Sequence, residues 1–193
     1  MTEKSSQERD YLPGMGKHHL LPFYDLLHRV SGFGAVQREM ITLARLRGGL
    51  RVLDVGCGTG NLLRATGKRH PDVELVGVDP DLKMLARAES KTRRAGVEVR
   101  LDRGFAQELA FPDDSFDVVF SSLMLHHLDR ASKDEMLAEV RRVLRPDGVL
   151  VLADIRQEAA GERIAAAGFT VEPTRVRKLR MFPAVGIEVA GVH

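Results

Sequence analysis

Only one cysteine, Cys57, occurs in the 193 residues. No intrachain disulfide, thiolate metal cluster or redox pair can therefore be built, which fits a reducing cytoplasm. Long apolar runs are missing as well. No window approaches the roughly eighteen residues of a membrane span, and residues 1–10 are polar where a secretory leader needs an apolar centre. Charge of one sign is scarce: 29 Lys and Arg face 27 Asp and Glu, and a net charge of +2 is too small an excess to argue for nucleic acid. Internal repeats, low-complexity tracts and an interdomain linker are absent too. With 44% hydrophobic and 29% charged residues, the chain has the length and composition of one domain with a real core.

The periodicity divides the chain into three parts. Residues 1–10 have nothing to bury and are expected to form a flexible tail. Residues 11–49 read as a helical amino-terminal arm or cap. Leu20, Phe23, Tyr24, Leu27 and Val30 recur near helical spacing until Gly32 and Gly34 interrupt them. An amphipathic helix over 35–47 follows, carrying Val36, Met40, Leu43 and Ala44 and stopped by Gly48 and Gly49. Residues 50–193 form a single α/β domain. Strands are predicted at 51–55, 74–79, 97–101, 116–121 and 148–153, with helices at 61–70, 82–95 and 133–144. Nearly continuous apolar strands separated by helices predict a mostly parallel sheet covered on both faces, with its ligand crevice along the carboxyl ends of the strands. A helix over 157–167 and strands at 169–176 and 185–189 complete the domain.

The strongest local signal is Asp54-Val55-Gly56-Cys57-Gly58-Thr59-Gly60, between a strand and a helix. Gly56 and Gly58 remove Cβ atoms where a ligand approaches the backbone, and Gly60 permits a tight entry into the helix. A structural bend would look similar, but two nucleotide-binding patterns are excluded. Asn61 stands where a dinucleotide fingerprint wants glycine or alanine, and no Gly-Lys-Ser/Thr ending marks a phosphate loop. The next strand closes on Asp79, 19 positions after Gly60. Its two carboxylate oxygens suit two ribose hydroxyls, against the plainer reading of a helix cap.

These residues resemble the class I S-adenosylmethionine-dependent methyltransferases, particularly the group acting on small molecules. Asp117 to Leu128 and Leu144-Arg145-Pro146-Asp147-Gly148 extend the likeness, with Asp147 at a place where glycine is frequent. The resemblance implies a Rossmann-like, mostly parallel seven-stranded sheet with helices on both faces and an antiparallel terminal strand. It implies S-adenosylmethionine as methyl donor and S-adenosylhomocysteine as product. Gly56, Cys57, Gly58 and Gly60 would surround the donor's amino-acid moiety, with Asp54 supporting the loop or the ammonium group. Asp79 and Pro80 would meet the ribose, and Met84, Phe105 and Ala106 the adenine. Ser121 would lie beside the reacting end, and Tyr24 would reach the carboxylate. Phe105 replaces an acidic residue, so its ring could stack on adenine but could not accept a hydrogen bond. Cys57 has no neighbouring base and reads as a compact buried residue.

A methyl leaving a sulfonium needs no strong acid, so the missing catalytic triad is no objection. His126 and His127, after the fourth strand, are the first candidates for accepting an acceptor's proton. His18 and His19 in the amino arm are the alternatives. Adjacent histidines without organised carboxylates predict no required metal. Ser121-Ser122-Leu123-Met124 is not the acidic or asparaginyl loop of exocyclic-amine methyltransferases, and the paired-glutamate loop of arginine methyltransferases is absent. The expected acceptor is a small organic molecule methylated on oxygen, nitrogen or carbon. The stretch between the fifth strand and Gly168 is short, leaving the amino arm, Met181-Phe182-Pro183 or a second subunit of a homo-oligomer to close the cleft. The basic run from Arg175 to Arg180 reads as a solvated face. The alternative is a donor-binding regulatory or partner protein with weak or no catalysis; a nicotinamide-dependent oxidoreductase fits less well.

Overall fold

Val52, Leu53 and Val55 put apolar groups on both sides of one short stretch, a pattern satisfied by a strand buried on both faces. In the computed structural model, which describes residues 32–155, 160–179 and 183–192, that stretch is Arg51–Val55 (β1), inside the sheet. Residues 1–31 lie outside the described residues, and with them the flexible tail, most of the arm, His18, His19 and Tyr24. Met181 and Phe182 also lie outside them.

The elements follow as Phe33–Leu43 (α1), β1, Asn61–Arg69 (α2), Glu74–Asp79 (β2), Leu82–Arg94 (α3), Arg100–Arg103 (β3), Phe116–Ser122 (β4), Arg130–Val143 (α4), Leu144–Ile155 (β5), Ala160–Ala166 (α5), Thr170–Val171 (β6), Arg175–Arg177 (β7) and Val185–Gly191 (β8). The sheet order is β3-β2-β1-β4-β5-β8-β6, with β7 also on β8. β1 to β5 run parallel, and β8 is antiparallel to β5, as the alternating pattern and the antiparallel terminal strand require. Eight segments stand where seven strands were expected because the outer strand is broken in two. From Val171 to Arg175 the edge takes four steps while β8 takes three, Ala190 to Ile187, so one residue is extra. Pro173, which has no N–H for the ladder, lies at the interruption.

Apolar groups on the two faces form two cores. One joins Met136, Leu137 and Val140 of α4 and Ile164 of α5 to Leu53, Val55, Val119 and Leu150. The other joins Val36, Met40 and Ile41 of α1 and Leu62 and Leu63 of α2 to Val52, Phe120, Val151 and Ile187. The helix of the arm is thus part of the sheet's covering layer. α1 spans 33–43 where 35–47 was expected and β8 runs on to Gly191, and three further boundaries differ for local reasons. β3 starts at Arg100, not 97, because Gly96 turns the chain with φ 65° and Val97 donates its N–H back to Thr92 O, 3.0 Å away. α4 starts at Arg130, not 133, because Asp129 caps it by accepting the Ser132 N–H at 2.8 Å. The strand expected at 148–153 spans 144–155, its first residues preceding Asp147 and Gly148.

From β1 the chain crosses to β2 on one side and later to β4 on the other. The carboxyl ends of β1 and β4 therefore flank a topological switch point, where open α/β sheets bind ligands. No helix among the described residues is long and apolar enough to cross a membrane.

Candidate functional site

The glycine loop leaves β1 at that switch point. Gly56 and Cys57 both donate their N–H to Val78 O, at 2.9 and 3.0 Å, which binds the loop to the end of β2. Its glycines do different work. A Cβ on Gly56 would lie 2.5 Å from Met124 Cγ, and one on Gly60 would lie 2.9 Å from Ala88 Cβ and 3.1 Å from Ala88 Cα. A Cβ on Gly58, at φ 52°, would meet nothing within 4 Å. Two glycines are closed by protein, and the middle one faces open space.

Asp79 fastens this loop. One carboxylate oxygen accepts the Gly58 N–H and the other the Asp81 N–H, both at 2.9 Å. A carboxylate has roughly four acceptor sites, so about two remain for further donors. Burial holds Asp79 above the usual carboxylate range, opposed by these two backbone hydrogen bonds. Asp54 is fully buried, and its Oδ1 has no hydrogen-bond partner among the described residues. Burial and then the nearby Asp79 charge push its pKa up to about 8. An unpartnered carboxyl oxygen beside a second carboxylate is a site that a bound cation would satisfy. Ser121 Oγ, near the end of β4, is the other buried side-chain atom without a hydrogen-bond partner among the described residues. The thiol of Cys57 is pushed far up by burial and by Asp54 and Asp79, so it is inert, and it packs where a side chain on Gly77 would go. These residues fit a ligand that is cationic near Asp54 and hydroxylated near Asp79.

On the other side of Asp79, Gly104 donates its N–H to Asp79 O at 3.3 Å. Phe105 then closes a short turn opposite Glu108. Ala106 is buried in the core, whereas Phe105 is half-buried and belongs to neither core. Met84 is likewise half-buried outside both cores, and half-buried Pro80 accepts from Arg103 Nε at 3.3 Å. Phe105 and Met84 thus keep apolar surface beside the Asp79 strand end.

β4 ends in a strained turn. Leu123, with φ 56°, is in the left-handed region that a bulky residue avoids, and its N–H donates to Ala153 O at 2.8 Å. The turn lays Met124 on Gly56 and leads into a 3-10 helix at Leu125–His127. There the sequence candidates separate. His126 Nδ1 lies 2.6 Å from Asp154 Oδ1, and its backbone N–H donates to Asp154 Oδ2 at 3.0 Å. Asp154, buried at the end of β5, thereby fixes the ring and the backbone that carries it. With the carboxylate accepting from Nδ1–H, Nε2 is the nitrogen left as an acceptor. His127 is exposed, its ring centroid 3.9 Å from that of His126; burial and then His126 hold its pKa below the usual range.

Sequence reasoning missed Asp154. A lone aspartate closing the apolar strand Val149 to Ala153 repeats the Asp79 pattern and was the available signal. It also missed Lys91, whose Nζ donates to Thr59 Oγ1 at 2.7 Å and Asn61 Oδ1 at 3.1 Å, bracing both sides of Gly60. No group of three or more His, Cys, Asp or Glu among the described residues is placed to hold a metal ion.

Comparison with known proteins shows the family and the fold. Residues 52–148 match the family model described as a methyltransferase domain. A demethylmenaquinone methyltransferase of Thermus thermophilus is 35% identical over 175 residues, covering 89% of this chain and 76% of the relative. One from Deinococcus radiodurans is 37% identical over 145 residues, covering 74% of this chain but only 59% of the relative. Among solved structures, a SAM-dependent methyltransferase from Aquifex aeolicus superposes with a TM-score of 0.71 at 21% identity, covering 92% of this chain and all of that one, a likeness of fold.

Proposed function

The chain belongs to the class I S-adenosylmethionine-dependent methyltransferases, and on that premise we propose that it methylates a small acceptor with an acidic hydroxyl, a hydroquinone-type ring foremost, using His126 as proton acceptor. S-adenosylmethionine is the donor and S-adenosylhomocysteine the product. When bound, the donor supplies a methyl group on a sulfonium whose leaving group is a neutral thioether. In this reading, the turn of Gly56, Cys57, Gly58 and Gly60 surrounds the donor's amino-acid end, with Asp54 facing its ammonium and Ser121 Oγ completing the cradle. Asp79 receives the ribose hydroxyls beside Pro80, and Met84, Phe105 and Ala106 border the adenine. The protein's tasks are alignment, exclusion of water and removal of one proton.

The observation that carries the acceptor reading is the 2.6 Å pairing of His126 Nδ1 with buried Asp154. A phenolic hydroxyl does not ionise readily at neutral pH, so the acceptor needs a base held within reach of its proton. The carboxylate holds the ring in place and in the tautomer that leaves Nε2 to take that proton. The ring carbon next to the ionised oxygen then gains the methyl as the carbon–sulfur bond breaks. Loss of the ring C–H proton to solvent restores the aromatic ring as its oxyanion, and the proton held on His126 returns to that oxygen, so one proton is released per turnover. The two demethylmenaquinone methyltransferase relatives support an acceptor of this class.

The test is methyl transfer to a short-chain demethylnaphthohydroquinone by His126→Asn and Asp154→Asn. Both should lower kcat by about 10²-fold or more, with a rate that recovers as pH rises and the hydroxyl ionises unaided. Donor affinity, measured by calorimetry, should stay within about twofold and report an intact fold. Unchanged kcat in His126→Asn would remove the histidine from the mechanism.

A further inference from the structure

We propose that β7 and Lys178 dock this enzyme on an anionic lipid surface, with the catalytic edge of the sheet turned toward the bilayer. Arg175, Val176, Arg177 and Lys178 are all exposed, and Val176, at 45%, is one of only two large hydrophobic residues so exposed among the described residues. Residues 175–178 hold three cations and no acid, and one of the three, Arg177, pairs with Glu39 of α1.

Edge strands often carry Lys or Arg merely to discourage pairing with another sheet. The opposite edge shows what that looks like here: β3 reads Arg-Leu-Asp-Arg, and Arg100 pairs with Asp102 at 2.9 Å. β7 has no acid of its own. It also interleaves its cations with exposed aliphatic Val176. Aliphatic groups gain little against a phosphodiester backbone, but they gain at the boundary of lipid headgroups and acyl chains, where the cations meet phosphates.

Register supplies the link to chemistry. Val176 pairs with Gly186, and Gly186 pairs with Asp154 of the His126 pair. Two strand spacings, about 10 Å, therefore separate the backbone of the basic edge from that of the base's partner. An acceptor with an apolar tail would need to raise only its ring out of the bilayer. This last point rests on the hydroquinone reading above; the docking surface does not.

Arg177 also reaches Glu39 of α1 and is left in place in the test. Full-length protein is sedimented with vesicles of phosphatidylcholine alone or with added phosphatidylglycerol, as wild type and as Arg175→Gln/Lys178→Gln. Wild type should prefer the anionic vesicles and lose that preference at high salt. The double variant should partition about 30-fold more weakly, from roughly fivefold per cation. It should still methylate a water-soluble short-chain hydroquinone at the wild-type rate and lose activity on a long-chain acceptor embedded in anionic vesicles. No preference for anionic vesicles, or an unchanged preference in the double variant, overturns the proposal. So does wild-type protein that binds RNA but no vesicles. Vesicle binding without transfer to the short-chain hydroquinone would leave docking standing and reject the acceptor reading.

Discussion

Gly58 and Gly60 are two residues apart in one loop, yet alanine at each should fail for a different reason. Both have positive φ, 52° and 71°, so each substitution carries a left-handed cost of about 1–2 kcal/mol. At Gly60 the new methyl also meets Ala88 Cβ at 2.9 Å and Ala88 Cα at 3.1 Å. Backbone cannot step aside like a flexible side chain, so overpacking adds about 1–3 kcal/mol. Gly60→Ala should therefore lose about 2–5 kcal/mol in urea unfolding of the donor-free protein. At Gly58 the methyl meets nothing within 4 Å, and the stability loss should stop at about 1–2 kcal/mol. That open space is where the donor is proposed to lie, so Gly58→Ala should weaken S-adenosylmethionine binding by an order of magnitude or more in calorimetry while the protein remains folded. If Gly58→Ala destabilises as much as Gly60→Ala, or binds donor normally, the division of the loop into a packed end and a ligand-facing centre is wrong.

Asp54, with its pKa raised to about 8 from 3.8, keeps its proton in the folded state where the unfolded chain has lost it. Its contribution should be fully present below pH 3.8 and lost as pH rises toward 8, with a slope approaching about 1.4 kcal/mol per pH unit. Asp54→Asn should flatten the stability profile across that window in denaturation measured from pH 4 to 8; an unchanged slope would refute the assignment. Binding the donor's ammonium should lower this pKa, so calorimetry near pH 7 in buffers of different ionisation heat should show proton release that Asp54→Asn abolishes. Arg142 donates to Leu109 O, Phe111 O, Asp113 and Glu139 at 2.7–2.9 Å, binding the loop that follows Phe105 to α4. Arg142→Met should cost about 2–4 kcal/mol in urea unfolding, with a loss under about 0.5 kcal/mol counting against the clamp. Asp147, at φ 64°, should tolerate glycine with a gain of about 0.5–1 kcal/mol in the same assay, and destabilisation would show that its side chain has a role.

The legible parts of the molecule were those fixed by local patterns. Val52, Leu53 and Val55, like Leu75, Val76 and Val78, put apolar groups on both faces, so β1 and β2 were readable residue by residue, and the Gly56 to Gly60 turn followed from its place between strand and helix. What sequence could not supply was pairing over distance. His126 and His127 look equivalent in a sequence, and only the approach of β5 to the turn after β4 puts Asp154 on one of them. Asp79 was legible as a candidate ligand residue but not as the acceptor of the Gly58 N–H, because that bond joins residues 21 positions apart. The broken outer strand was illegible for another reason: the periodicity of 169–176 is continuous, and Pro173 interrupts only the hydrogen-bond ladder.

The most direct measurement is a single-turnover assay with isotopically labelled S-adenosylmethionine and a short-chain demethylnaphthohydroquinone, with products read by mass spectrometry for wild type and His126→Asn. The wild type should yield a hydroquinone carrying one labelled methyl on a ring carbon, together with S-adenosylhomocysteine. His126→Asn should bind the donor equally well and transfer at most about one hundredth as fast. Equal transfer by the two proteins, or label that never leaves the donor in the wild type while acceptors of another class are methylated, would contradict the account.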